Sequence, residues 1–287
     1  MSGIKDYFSL VKIQHTVFAL PFALIGFFLA YKMNGEAFSW RTLLLVLVCV
    51  FFARNAAMGF NRYLDREFDK ENPRTALREI PRRIITPGSA LWFVLANAVL
   101  FMAATAFLNR LCLILSPVAL FVVLGYSFTK RFTSFAHLVL GTGLALAPIG
   151  AYLAVTGRFD LLPLLYSFAV LFWVAGFDII YALQDYEFDM EHKLRSIPVL
   201  VGKKNALILS AIFHVVALGL IYSAGFMGHA GWIHWTGVAV FTALVVYQHL
   251  IVRPHDISRV NMAFFTLNGI ASVIFAGFVI ADLFISR

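Results

Sequence analysis

Nine long apolar stretches exclude most soluble folds for this chain. A helix needs roughly 20 residues to cross the hydrocarbon core of a bilayer, and each stretch is close to that length. Only 13% of the 287 residues are charged, against roughly 25% in an average soluble domain. The sequence therefore predicts an all-α polytopic membrane protein, a single integral-membrane domain over residues 1–287 with nine transmembrane helices in a bundle. The predicted spans are about 16–34, 41–61, 90–108, 111–128, 135–155, 162–183, 205–226, 231–252 and 261–284.

Two of these stretches leave the number of transmembrane spans open. The 111–128 stretch is the shortest, and 231–252 contains His234 and His249, so eight or ten spans remain alternatives. The first stretch is too long for the core of a signal peptide and shows no small-residue cleavage site, so we expect a retained span. The alternating ten-residue segments of a transmembrane barrel are absent from the sequence.

The basic residues predict the orientation, because cytoplasmic loops carry the excess of Lys and Arg. With a cytoplasmic N-terminus, 17 of the 23 Lys and Arg residues fall on the cytoplasmic side and 5 on the other side, with Arg54 inside a span. We therefore predict a cytoplasmic N-terminus and an external C-terminus. We expect an integral protein of a bacterial inner membrane, and the two acidic segments described in the next paragraph would then face the cytoplasm.

Two short acidic segments repeat within this apolar chain. The first contains Asp65 and Asp69 in NRYLDREFDKENPRT, and the second contains Asp185 and Asp189 in YALQDYEFDMEHKLRSIP. Four residues separate the carboxylates of each pair, which places both on one side of a helix about 5–6 Å apart at Cβ. Each segment follows the second helix of a set of four spans, on the cytoplasmic side. We therefore expect one shared site, and two internal halves at about 1–130 and 131–260.

Paired aspartates in an apolar protein predict Mg²⁺ and a phosphorylated ligand. Mg²⁺ prefers one or two carboxylates together with phosphate oxygens and water. Arg and Lys near the motifs would contact the outer phosphate oxygens. An arginine inside a span, as at position 54, usually faces a partner or a cavity, and here a pairing with a motif aspartate and a contact with substrate are both open.

Ionisation of an allylic diphosphate is the chemistry that needs such a set. Negative charge gathers on the leaving group as the C–O bond breaks, and Mg²⁺ with Arg and Lys would stabilise that charge. The aromatic faces of Tyr126, Tyr181 and Phe177 would shelter the allylic cation through cation–π attraction. A long isoprenoid tail would lie among the lipids, which explains a location in the bilayer.

These residues resemble a known family. NRYLDREFDKENPRT is similar to the first aspartate-rich signature of the UbiA superfamily of intramembrane aromatic prenyltransferases, N-x3-D-x3-D followed by RT, and DIIYALQDYEFDMEHKLRSIPVLVG resembles the second, D-x3-D-x3-G-x2-S. The resemblance covers nearly the whole chain. One departure is Lys193, which stands where the family pattern has Gly. If that Gly serves a left-handed turn, Lys193 must accept backbone strain there.

The resemblance implies roles for individual residues. The catalytic and metal-binding residues would be Asp65, Asp69, Asp185 and Asp189. The substrate-binding residues would be Asn61, Arg74, Lys130, Arg54, Tyr126, Tyr181 and Asp178. In this assignment Arg74 and Lys130 contact diphosphate, Arg54 lies near the aromatic acceptor or the cation path, and Asp178 supports the second motif.

The same resemblance implies a reaction and its partners. The segments ARNAAMGFNR, NPRT, REIP and DIIYALQDYEFD look most like the 4-hydroxybenzoate polyprenyltransferase branch. This implies Mg²⁺-dependent transfer of a polyprenyl group from its diphosphate to an aromatic carboxylic acid in ubiquinone biosynthesis. Prenylation of a dihydroxynaphthoate for menaquinone is the alternative within the family. The proton acceptor stays open between Asp178 and the released diphosphate.

Other classes fit the residues less well. A cation-coupled transporter is the alternative from a different class, but it should place its acids near the midplane on broken helices. The net charge of +8 is spread through loops without a basic arm, so membrane lipids and no nucleic acid are the expected partners. The histidines, including His137 and His214, lack ligand spacing and are predicted to be structural, although His192 is a candidate to tune Asp189. The 78–83 run is interpreted as a topology determinant, with Arg78 set apart one turn after Arg74.

Overall fold

The computed structural model describes residues 3–35 and 37–286, and its regular structure there is helical apart from one isolated bridge between Arg253 and Asp256. Twelve α-helices occur in these residues. They are α1 Ile4–Leu10, α2 Leu20–Met33, α3 Trp40–Leu64, α4 Arg66–Glu71, α5 Pro87–Ala106, α6 Arg110–Thr129, α7 Ala136–Thr156, α8 Leu161–Ala182, α9 Tyr186–Glu191, α10 Ile197–Met227, α11 Trp232–Ile251 and α12 Asn268–Ile285. A 3-10 segment, Ile13–Phe18, precedes α2, a second, Leu183–Asp185, joins α8 to α9, and a π-helical turn, Met262–Leu267, leads into α12.

Eight of the described helical segments are long and apolar enough to cross a membrane. This confirms the predicted class of all-helical membrane protein. The helix α11 has a comparable length of 20 residues, and it contains His234, Gln248 and His249, whose polar side chains lower its mean hydropathy. The helix that contains the predicted span 205–226 begins earlier than expected. It is α10, which starts at Ile197 and continues through a kink at Gly202 (φ 79°, ψ 159°).

Side-chain caps define where several of these helices begin. Ser39 accepts a hydrogen bond from the Thr42 amide (3.2 Å) at the start of α3, and Asn109 accepts one from the Cys112 amide (2.9 Å) at the start of α6. Thr86 caps α5 in the same way, and Pro87 follows it as the first helical residue. Such caps satisfy amides that have no partner within the helix, so each boundary follows from a local sequence signal.

The helix α7 packs very closely against α2 and α8. A Cβ atom at Gly141 would lie 2.3 Å from the carbonyl oxygen of Leu171 in α8, and one at Gly26 in α2 would lie 2.0 Å from that of Pro148 in α7. Backbones can approach this closely only where the side chain is a hydrogen atom, as in many membrane helix contacts. Trp173 and Phe177 of α8 are fully buried, so α8 lies at the centre of the bundle and places its C-terminal end inside it.

Candidate active site

Both acidic segments interrupt a long helix in the same way. Asp65 lies between α3 and α4 with φ −89° and ψ 6°, and Asp185 ends the 3-10 segment before α9 with φ −100° and ψ 6°. The expectation of one continuous helix through each pair was therefore wrong. The Asp69 amide still donates to the Asp65 carbonyl oxygen (2.8 Å), so the carboxylates remain one turn apart. Repulsion between like charges at this spacing disfavours an uninterrupted helix.

A cationic side chain lies next to each of the four motif carboxylates. The pairs are Arg131 with Asp65 at 3.0 Å, Arg78 with Asp69 at 2.5 Å, Arg74 with Asp185 at 2.6 Å and Lys130 with Asp189 at 3.5 Å. Three of these aspartates are 7% exposed or less, and Asp65 is half-buried. Buried carboxylates of this kind need paired charge to remain ionised, so the acidic and basic groups form one charged cluster.

Arg74 joins the two acidic segments. Its guanidinium donates to both oxygens of Asp185, from Nε to Oδ1 (2.9 Å) and from Nη2 to Oδ2 (2.6 Å), and its Nη1 donates to the Tyr181 hydroxyl (2.9 Å). Asn72 adds a bond from Nδ2 to Asp185 Oδ1 (3.0 Å). Residues 111 positions apart are thus brought together. Pro73 ends the first motif at this point because its ring cannot continue the helix.

The electrostatics of the cluster differ between Lys130 and Asp65. Burial alone would lower the pKa of Lys130, but the carboxylates of Asp189, Asp185 and Asp178 raise it above its ordinary value. Burial also raises the pKa of Asp65, and the Arg131 charge offsets this only in part. Lys130 therefore keeps its positive charge, whereas an additional cation near Asp65 would offset the effect of burial on its carboxylate.

A turn at Lys193 ends the second motif. The Lys193 amide donates to the Met190 carbonyl oxygen and the Leu194 amide to that of Asp189 (2.9 Å). This pair of bonds is the Schellman arrangement, whose central residue adopts a left-handed conformation that favours Gly. Lys193 has φ +54°, so the expected strain at the position of the family glycine is present. His192 bonds to Glu71 at 3.0 Å, and its role in tuning Asp189 stays a prediction.

The charged cluster lies at one end of a cavity of about 600 Å³ between α3, α6, α7 and α8. Lys130 lines one end, and Cys112 and Leu108 line the other. Along a helix, the 18 residues from Cys112 to Lys130 correspond to about 27 Å, close to the thickness of a bilayer core. The wall between these ends is mainly aliphatic and aromatic, so the cavity joins a charged mouth to a long apolar channel.

Arg54, Tyr126 and Asp178 line this cavity at a deeper level than the motif aspartates. Arg54 donates from Nη2 to the Lys12 carbonyl oxygen (2.6 Å), while its Nη1 is buried and has no hydrogen-bond partner among the described residues. Of the two alternatives for Arg54, the pairing with a motif aspartate is therefore not observed. A free guanidinium nitrogen in an apolar cavity is a binding group for an anionic ligand.

Tyr181 holds Arg74 in place. Its ring stacks on Phe264 with centroids 4.1 Å apart, and the Arg74 guanidinium lies over it at 5.3 Å. Two neighbours thus occupy Tyr181, and Tyr126 is the second tyrosine that lines the cavity. The predicted substrate residue Asn61 lies at the mouth, where its Nδ2 donates to Asp65 Oδ2 (2.9 Å).

Three residues of the site were not assigned from the sequence. Arg78 and Arg131 pair with the first motif; Arg78 had a weak signal from its position one turn after Arg74, and Arg131 from its place beside Lys130. His137 bonds to Asp178 at 2.7 Å. It lies 41 residues away, and no local pattern could have identified it, because the two residues meet only through the packing of α7 on α8.

The carboxylates fit a bound divalent cation. Asp69 Oδ2 and Asp189 Oδ2 are buried and accept no hydrogen bond within the described chain, although Lys130 lies 3.5 Å from the latter. Over the same residues, no three Asp, Glu, His or Cys side chains are grouped closely enough to hold a metal by themselves. This donor set suits Mg²⁺, which takes a few carboxylates and completes its octahedron with phosphate oxygens and water.

Comparison with known proteins identifies the family. Residues 19–270 match the UbiA prenyltransferase family. The chain belongs to that family. Among its UbiA relatives is the 4-hydroxybenzoate octaprenyltransferase of Aeromonas salmonicida, which is 32% identical over 198 residues, 65% of this chain and 68% of the relative. The enzyme of the same name from Francisella tularensis subsp. novicida is 30% identical over 162 residues, 56% of this chain and 57% of its own length.

Solved UbiA structures share the fold over nearly the whole chain. A UbiA homologue from Aeropyrum pernix K1, in its apo form, superposes with a TM-score of 0.84 at 32% identity, covering 94% of this chain and 98% of the homologue. A UbiA homologue from Archaeoglobus fulgidus, bound to DMAPP and Mg²⁺, gives a TM-score of 0.72 at 22% identity and covers 98% and 99% of the two chains. The second comparison supports the fold alone.

Proposed function

We propose that this UbiA protein transfers a polyprenyl group from an allylic diphosphate to an aromatic acid of the 4-hydroxybenzoate type, in ubiquinone biosynthesis. The observation that carries the proposal is the charged cluster of two aspartate pairs and four cations at the mouth of a long apolar cavity. The names of the bacterial relatives support the acceptor. The Archaeoglobus homologue, which shares the fold, binds DMAPP and Mg²⁺, and an allylic diphosphate donor with Mg²⁺ is consistent with that.

The diphosphate would bind between the two acidic segments. Asp65 and Asp69 from one side and Asp185 and Asp189 from the other would hold Mg²⁺, starting from the unpartnered oxygens of Asp69 and Asp189. When bound, Mg²⁺ supplies positive charge to the diphosphate oxygens and so stabilises the leaving group. The short helices α4 and α9 carry Asp69 and Asp189, and Arg74 joins the first segment to Asp185 of the second.

The four cations would exchange carboxylate for phosphate partners as the ligand binds. Arg74 presents two parallel N–H groups, now satisfied by Asp185, and the same fork matches phosphate oxygens. Lys130 is a movable point charge, and its carboxylate partner lies 3.5 Å away. Such preformed donors cost little reorganisation when charge develops on the leaving group, so the cluster is suited to ionisation of the C–O bond.

The apolar channel would take the isoprenoid tail and exclude water from the allylic cation. Leu108 and Cys112 line its far end, and Phe177 and Val174 of the buried helix α8 line the wall nearer the mouth. Tyr126 lines the cavity about one turn before Lys130, and a cation–π contact with its ring would stabilise the reacting carbon. A dry channel also prevents capture of the cation by water.

Arg54 would bind the carboxylate of the acceptor. Its Nη1 is a buried donor without a hydrogen-bond partner in the described chain, and leaving such a group unsatisfied costs about 1–3 kcal/mol. An anionic acceptor removes that cost. An uncharged phenol would accept only a weaker bond from this guanidinium than a carboxylate does, so we expect a preference for an aromatic acid.

The topology that accompanies this function has nine spans, with α11 as the eighth, and a cytoplasmic N-terminus. It is supported by the 17 Lys and Arg residues on one side, and by the position of Arg74, Lys130 and Arg131 at the mouth of the cavity. The phosphorylated donor and the anionic acceptor then approach from the cytoplasm of a bacterial inner membrane.

A membrane assay tests the proposal. Membranes with the protein receive geranyl or a longer prenyl diphosphate, Mg²⁺ and either 4-hydroxybenzoate or dihydroxynaphthoate, and product is measured by mass. We expect prenylated 4-hydroxybenzoate that disappears with EDTA. Product from naphthoate alone would move the pathway to menaquinone, and a folded protein without either product would refute the proposed function. A cation-coupled transporter is disfavoured because its acids should lie near the midplane, whereas these four lie at helix ends and are paired with cations.

A further inference from the structure

A buried histidine supports one carboxylate that lies outside the two aspartate pairs. His137 of α7 is 0% exposed, and its Nδ1 lies 2.7 Å from Oδ2 of Asp178 in α8. The Asp178 side chain is 19% exposed and lines the cavity. The pair of His137 and Asp178 is separate from the four motif aspartates and their paired cations. Its function therefore has to be explained separately.

The hydrogen bonds of His137 determine its tautomer. Its Nε2 accepts a bond from the Ile197 amide at 3.3 Å, and a backbone N–H can only donate. The proton of the neutral ring is therefore on Nδ1, which donates to Asp178. Ile197 is the first residue of α10, so three helices fix the ring, and the ring fixes the carboxylate. The carboxylate of Asp178 is thereby oriented by a histidine, with no Arg or Lys ion pair among the described residues.

Asp178 differs in this respect from the four motif aspartates. Each of those lies against an Arg or Lys and is assigned here to the metal and the diphosphate. Asp178 lies seven residues before Asp185, about 10 Å deeper along the helix, in the same part of the cavity as Tyr126. Its neighbours there include Lys130 and Tyr126, which interact with it electrostatically.

We propose that Asp178 accepts the proton that leaves the aromatic ring, and that His137 is the residue that positions it. The proposal rests on the proposed function. As the C–O bond to diphosphate breaks, its electron pair leaves with the diphosphate, and a pair from the ring forms the new bond between ring carbon and prenyl C1. The same ring carbon then loses its proton to Asp178, and the C–H electron pair restores aromaticity. No oxidant or reductant is needed.

The largely apolar lining of the cavity makes a positioned proton acceptor important. In water any solvent molecule could take the proton, but a channel that protects the allylic cation excludes water at the reacting carbon. The acceptor must therefore be a positioned group, and general bases of this kind contribute about 10²–10⁴-fold to rate. The departing diphosphate is the competing acceptor.

An isotope effect separates Asp178 from diphosphate. Asp178→Asn keeps the shape of the side chain and an oxygen for the His137 N–H while removing the base. With 4-hydroxybenzoate deuterated next to its hydroxyl, we expect a turnover about 100-fold below wild type, unchanged KM for the prenyl diphosphate, and a primary isotope effect that the wild type lacks. Turnover near wild type, or a loss with weaker diphosphate binding and no isotope effect, would overturn the proposal.

Two variants at position 137 test positioning. His137→Asn retains an N–H donor near the site of Nδ1, and we expect it to recover much of the turnover that His137→Ala loses, with KM for diphosphate unchanged in both. His214→Asn is the matched control, because His214 is equally buried but bonds to His249 (2.7 Å) away from the cavity. Equal turnover in His137→Ala and His214→Asn, with both proteins folded by thermal melting, would remove His137 from the mechanism.

Different results would refute the proposed function and the proposed proton acceptor. If wild-type protein makes no prenylated aromatic acid from any donor, the proposed function is wrong. If the wild type makes product and Asp178→Asn does so without an isotope effect, the function stands and only the proton acceptor is wrong.

Discussion

Lys193 occupies a backbone conformation that most L-amino acids avoid. Its φ of +54° costs about 1–2 kcal/mol relative to the right-handed region. We expect Lys193→Gly to raise the free energy of unfolding by about 0.5–1 kcal/mol, the relief of strain exceeding the entropy that glycine adds to the unfolded chain. Thermal melting in detergent measures this. Lys204→Gly, within α10, is the control and should destabilise; a similar loss in both variants would contradict the strain argument.

Asp65 and Asp185 test the diphosphate site at the residue scale. We expect Asp65→Asn and Asp185→Asn each to lower turnover by about 10²-fold or more, because each removes a charge that stabilises the leaving group through the metal. Glu187→Gln is the matched control in α9, since Glu187 is exposed and pairs with Lys203 at 2.9 Å. Prenyl transfer in membranes is the measurement. Near-normal activity in both aspartate variants would refute the assignment of metal and diphosphate.

At the scale of helices, the packing of α7 depends on a missing side chain. A methyl group at Gly141 would meet the Leu171 carbonyl oxygen at 2.3 Å, whereas nothing lies within 4 Å of one at Gly150 in the same helix. We expect Gly141→Ala to destabilise the bundle by about 1–3 kcal/mol, as overpacking does, and Gly150→Ala to be neutral. Melting temperatures of the two variants compare them directly; equal stability would show that α7 and α8 can separate without cost.

Metal binding is a property of the whole molecule, because the aspartates come from two distant segments. We expect Mg²⁺ and geranyl diphosphate together to raise the melting temperature, since a ligand that binds only the folded protein stabilises it. EDTA should remove the shift, and Asp69→Asn with Asp189→Asn should abolish it. The readout is independent of turnover. A full shift from diphosphate in EDTA would contradict a metal-bridged site.

The topology can be tested in the intact membrane. After replacement of Cys49 and Cys112, a single cysteine at Lys204 should react with a membrane-impermeant maleimide only once the cells are opened. A cysteine at Arg158 should react in intact cells. These outcomes follow from a cytoplasmic N-terminus and the predicted spans. The opposite pattern would invert the orientation and place the charged mouth of the cavity outside the cytoplasm.

Local properties of the chain were enough to predict its class, most of its helices and the aspartates of its two motifs. Hydropathy, caps and i,i+4 spacing act over a few residues, so they can be interpreted without knowing the fold. The breaks at Asp65 and Asp185 could not be predicted in this way, because a spacing rule assumes a regular helix. The folded state decided which cation meets which carboxylate, since Arg74 reaches Asp185 across 111 residues. It also decided that His137 supports Asp178, because that contact exists only where α7 and α8 pack without an intervening side chain.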